Sequence, residues 1–146
     1  MFVFTYTFKR EINNDKTLKN VTDAVYASFM EREMKYINIE GNRITGKDSL
    51  IKLDFSNRSP LVFSPGKEYF IYDENTKVLT YKIEAIYPVL FNLIYSSVLF
   101  LILYKLVHHP VIELAVPFLF FILITITGYF QYQMIMGKVC RKLVEE

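Results

Sequence analysis

The chain has one cysteine, two histidines and no tryptophan, and each shortage removes a class of chemistry. A lone thiol, Cys140, closes no internal disulfide and builds no multi-cysteine metal site; it reads as a small residue near a membrane surface. Neither histidine nor cysteine occurs before residue 85, so no Ser-His-Asp or Cys-His set can assemble in that part. An excess of charge of one sign is lacking as well. The first 86 residues hold thirteen Lys and Arg against twelve Asp and Glu, and the whole chain carries only +2, which gives no basic tract for nucleic acid. The sequence predicts a protein that is not an enzyme, with no cofactor, no metal site and no nucleic-acid partner.

One motif argues the other way. Gly41 to Ser49 reads GNRITGKDS, close to the G-x-x-x-x-G-K-[S/T] loop whose backbone N–H groups wrap phosphates. The hydroxyl position is Asp48, which sets negative charge beside the phosphates, and the following LIKLDF alternates like a strand rather than opening a helix. Gly41-Asn42 suits a tight hairpin turn after Ile37 and Ile39, and Gly46 and Asp48 read as a second turn. Two turns in an antiparallel meander account for the glycines.

Long apolar runs are plentiful: 52% of the residues are hydrophobic and 16% aromatic. No charge occurs from Ala85 to Tyr104 or from Leu114 to Gly137. Each run is long enough to cross a hydrocarbon core of about 30 Å at about 1.5 Å per residue. The opening FVFTYTF alternates and lacks the basic and small-residue flanks of a signal peptide, while Lys138, Arg141 and Lys142 follow the second run. These features predict spans over about 86–105 and 112–134, a short basic cytosolic tail at 138–146, both termini cytosolic, and the inner membrane of a bacterium with AT-rich coding sequence.

Residues 1–84 read as a cytosolic α+β domain and 85–137 as a transmembrane helical hairpin. Phe2, Phe4, Tyr6 and Phe8 alternate onto one strand face. Asp15 is placed to cap a helix whose Leu18, Val21, Val25 and Phe29 form an apolar stripe, leaving Lys19, Asp23, Glu31 and Arg32 to water. Strands near 36–40, 43–47 and 49–55 and a hairpin from Glu68 to Glu84 complete the order β-α-β-β-β-β-β, one antiparallel sheet over a single helix. The last strand runs into the first span without a linker.

Three groups of residues are candidates for function. Asn92, Ser96, Thr125, Gly128 and Gln131 form a polar seam able to close the hairpin or join subunits. Arg58, Leu61, Val62, Phe63 and Lys67, within the turn-rich SNRSPLVFSPGKEYF, form a candidate recognition segment. Lys105 and Glu113 are placed to pair across the outer turn, where His108 and His109 lack a third metal ligand. Expected partners are membrane lipid and other membrane subunits or further copies. The expected function is a non-catalytic membrane protein whose domain binds a partner and whose hairpin packs in an assembly. Two rivals stand beside it: a ligand-sensing effector that oligomerises and perturbs the bilayer, and a membrane enzyme using Glu113 and the histidines.

Overall fold

The computed structural model describes residues 4–13, 15–47 and 66–145. The strand expected at 49–55, and all of the candidate recognition segment except Lys67, lie outside the described residues. Within them the elements are β1 (Thr5–Glu11), α1 (Leu18–Glu31), β2 (Tyr36–Glu40), β3 (Arg43–Lys47), β4 (Lys67–Asp73), β5 (Val78–Glu84), α2 (Ile86–Leu106) and α3 (Pro110–Glu145). The class is α+β. All pairings are antiparallel, in the spatial order β1-β5-β4-β3-β2.

Alternation sends one face of the sheet inward. Phe8, Tyr81, Phe70 and Ile44 stand side by side across four strands, and the Phe70 and Tyr81 rings stack with centroids 4.3 Å apart. Helix α1 lays Val21, Val25 and Phe29, all fully buried, over this face. Each such side chain contributes about 1.5–3 kcal/mol of transfer free energy. Phe4, placed on the inner face by its spacing, is 55% exposed, because it precedes the first residue of the paired strand.

The start of α1 corrects one expectation. Thr17, not Asp15, is the N-cap: its hydroxyl accepts from the Asn20 N–H at 3.4 Å, while Asn20 Oδ1 accepts from the Thr17 N–H at 3.1 Å. This reciprocal pair satisfies two backbone donors at once. Glu74, in the turn between β4 and β5, accepts from the Leu18 N–H at 2.8 Å. The helix start is thereby tied to the sheet.

The glycines also sort differently from their first reading. Gly41, at φ 57°, begins the β2–β3 turn, where Glu40 pairs with Arg43. Gly46 is not in a second turn but inside β3, opposite Glu68, and a Cβ there would lie 2.8–3.0 Å from the Phe29 ring. Its bare surface lets α1 approach the sheet. Gly41 to Lys47 is therefore turn and paired strand rather than a loop free to wrap phosphates.

The largest departure is α3. It runs as one helix of 36 residues, about 54 Å at about 1.5 Å per residue, and passes through Gly137 without a break. Tyr132, Met136, Val139, Cys140 and Leu143 are buried in the same core as Phe8, Val21 and Tyr81. The segment expected to be a tail is therefore helical and packed. Two helices, α1 and the end of α3, cover the sheet where one was expected.

Candidate functional site

Helices α2 and α3 have mean hydropathies of 2.1 and 2.3 over their most apolar stretches, of which only 6% and 11% are buried within the chain. A core helix of a soluble protein would be largely covered. Both are long enough and apolar enough to cross a membrane.

At the domain's centre, Glu68 in β4 is 1% exposed. Arg32, just past the end of α1, places Nη1 2.8 Å from Oε1 and 2.7 Å from Oε2, and the Tyr81 hydroxyl donates to Oε2 at 2.8 Å. Arg32 also lies 5.2 Å from the Phe29 ring centroid. Burial pulls the affinity of the guanidinium for its proton down, but Glu68 and Tyr81 outweigh it and the balance is upward. Burial, then the charge on Glu68, pushes the Tyr81 phenol well above its ordinary range. The phenol stays protonated and donates. The cluster is thus a charge-assisted knot joining α1, β4 and β5, with both carboxylate oxygens engaged. It corrects the expectation that Arg32 remains in water.

Next to this knot, α3 crosses β1. Tyr6 makes an edge contact with Tyr129 at 5.3 Å and lies 6.0 Å from Tyr132, while Phe8 lies 5.1 Å from Tyr129. Ala85, fully buried, donates its N–H to the Phe4 carbonyl at 2.8 Å, and α2 begins at the next residue. Further along α3, Lys142 pairs with Glu31 of α1. The hydrogen bond to Lys142, opposed by desolvation and helped by the charges of Lys142 and Lys138, holds the Glu31 carboxyl below its usual range. The domain is therefore joined to the helical pair twice, by the β5–α2 junction and by α3.

Within the helical pair, Asn92 Nδ2 donates to Thr125 Oγ1 at 3.2 Å. Ser96, one turn further along α2, is buried, and its hydroxyl has no hydrogen-bond partner among the described residues. The structure thus brings Asn92 and Thr125 together across the α2–α3 contact and buries Ser96 one turn away. It leaves Gly128 and Gln131 apart from it: a Cβ at Gly128 would meet nothing within 4 Å, and Gln131 is exposed.

At the far turn, no ion pair closer than 4.0 Å joins Lys105 to Glu113 among the described residues, as one joins Arg32 to Glu68 and Lys142 to Glu31. Lys105 and Glu113 instead line an open cleft with Tyr104, His108 and Pro110. No cluster of three or more metal-ligating side chains occurs among the described residues. On the sheet's outer face, Arg43 sits 4.3 Å from the Tyr69 ring centroid, and the Tyr69 hydroxyl donates to Glu84 at 2.7 Å. Lys67 is exposed at the start of β4.

No known family model, curated protein or solved structure matches the chain. The residues missed in the sequence are Glu68 and the buried stripe of α3. A signal for the second was present: Tyr132, Met136, Val139 and Leu143 recur at spacings of four, three and four, an amphipathic pattern continuing the apolar run. Glu68 had none, because strand alternation fixes its direction but not the arginine that meets it.

Proposed function

We propose that this chain is a small, non-catalytic integral protein of a bacterial cytoplasmic membrane, with both termini in the cytosol. Its domain binds a partner while its hairpin packs within a larger membrane assembly. The observation that carries the reading is the course of α3, one helix that serves both as half of the apolar hairpin and as part of the domain core. A domain attached at two points presents its surface at a fixed angle to the bilayer. That suits a mounted docking platform better than a tethered module. Lys138, Arg141 and Lys142, just beyond the apolar stretch, support the orientation. The outer sheet face and β2, the edge strand among the described residues, where Tyr36 is 70% exposed, are the surfaces offered to a partner. Lipid and neighbouring membrane subunits cover the apolar faces of α2 and α3.

A second reading, the oligomerising effector, is favoured by the exposed Thr127 and Gln131 and by the open space beside the half-buried Gly128. Native mass spectrometry of the untagged complex in mild detergent separates the two. A mass requiring other polypeptides supports the platform; several copies of this chain alone, dissociated by Gly128→Leu, support the effector. A bare monomer contradicts both.

A further inference from the structure

The cleft at the far turn has a volume of about 450 Å³ and lies at the end of the hairpin opposite the domain. On the membrane reading, this is the depth of the outer-leaflet headgroups. Three observations converge there. Glu113 is 8% exposed, yet its carboxylate makes no hydrogen bond or ion pair among the described residues. Lys105 lines the same cleft without pairing with it. His108 holds a left-handed backbone, φ 53°, a conformation costly for a residue with a side chain.

Chain geometry explains how the carboxylate comes to be held there. The His109 carbonyl accepts from the N–H groups of Ile112 and Glu113 at 3.0 and 3.1 Å, and Pro110 opens the helix where its missing N–H does no harm. Glu113 therefore follows within the first turn. Pro117, four residues further, has no N–H to offer the Glu113 carbonyl. That leaves a second acceptor without its usual helical donor. A carboxylate that opens onto a cleft and an exposed ammonium that lines the same cleft without pairing with it are placed to be bridged by a ligand carrying both signs.

We propose that this cleft binds the zwitterionic headgroup of an ethanolamine phospholipid, with Lys105 and His108 facing the phosphate and Glu113 accepting hydrogen bonds from the primary ammonium. This rests on the membrane reading above. Ethanolamine fits better than choline, because a trimethylammonium has no N–H to donate and, of the Trp, Tyr and Phe rings that hold such a cation, the described lining of the cleft supplies Tyr104 alone. It fits better than glycerol headgroups, which leave the carboxylate without a cation. Lipid rather than a soluble phosphomonoester is the source, because the acyl chains would lie along the exposed apolar faces of α2 and α3.

The test uses the full chain reconstituted in liposomes of phosphatidylethanolamine, phosphatidylglycerol and phosphatidylcholine in equal parts. Protein that floats with the vesicles after a carbonate wash is extracted in mild detergent, and its retained lipid is counted by native mass spectrometry. Ethanolamine lipid should be retained about tenfold over choline lipid, and Glu113→Gln should abolish the preference while circular dichroism stays unchanged. Lys105→Ala should lower total phospholipid retention. Equal retention of the three lipids, a preference that survives Glu113→Gln, or displacement by equimolar soluble O-phosphoethanolamine would overturn the assignment. Protein that fails to float would refute the membrane reading itself, a separate outcome.

Discussion

Replacing Arg32 by alanine strands the Glu68 carboxylate inside the domain. Glu68 is 1% exposed, and its remaining protein donor among the described contacts is the Tyr81 hydroxyl at 2.8 Å. Breaking a buried ion pair from one side costs about 3–5 kcal/mol. Here the Arg32 side chain is 24% exposed and Tyr81 continues to donate, so the low end, about 3 kcal/mol, is expected. For a chain of this size that lowers Tm by about 10 °C. The assay is thermal unfolding of the detergent-solubilised chain, followed by circular dichroism. Adding Glu68→Gln to the first change should restore about half of the loss, because a neutral amide leaves no buried charge and still accepts from Tyr81. A cost below about 0.5 kcal/mol for Arg32→Ala, or two effects that simply add, would refute the view that these residues form one coupled knot.

Further consequences follow from the same contacts. Gly46→Ala drives a methyl to within 3.0 Å of the fully buried Phe29 ring and should destabilise the domain by about 1–3 kcal/mol in the same assay; a neutral effect would mean α1 shifts freely over the sheet. Asn92→Leu removes the bond to Thr125 and should weaken the hairpin by about 0.6–1.7 kcal/mol, read as faster proteolysis in bicelles, whereas Gly128→Leu should leave the isolated chain unaffected. Alkaline titration tests the tyrosines. Burial, then Glu84, pushes Tyr69 to about 12, against about 10 in the unfolded chain. The folded state keeps a proton the unfolded state has lost, so this stability is complete below pH 10 and disappears as the pH rises toward 12. Absorbance at 295 nm should show late-titrating phenols released together with loss of ellipticity; titration of every tyrosine near pH 10 with the fold intact would contradict it.

Much of the domain was legible because period-two and helical periodicities are local. The β2–β3 hairpin around Gly41, the β4–β5 hairpin, the α1 stripe of Val21, Val25 and Phe29, and the two apolar helices all declare themselves within short windows. The cap of α1 was misplaced by two residues because Asp15 and Thr17 are both good capping types, and only the reciprocal bond from Asn20 decides between them. Glu68 and Arg32 lie 36 positions apart, so their meeting is a product of tertiary packing. The end of α3 was obscured for another reason. Lys138, Arg141 and Lys142 read as the charged flank of an apolar run, and that signal hid the apolar residues interspersed with them, which continue the helix into the core.

The measurement that tests the account most directly is hydrogen–deuterium exchange of the full chain in lipid nanodiscs, resolved over residues 131–145. If α3 is one rod that completes the domain, the amides from Tyr132 to Leu143 should exchange slowly and open together with β4 and β5 as one cooperative unit. Exchange of that segment within seconds, while β4 and β5 stay protected, would show a frayed tail beyond the hairpin and contradict the rigid mounting on which the proposed function rests.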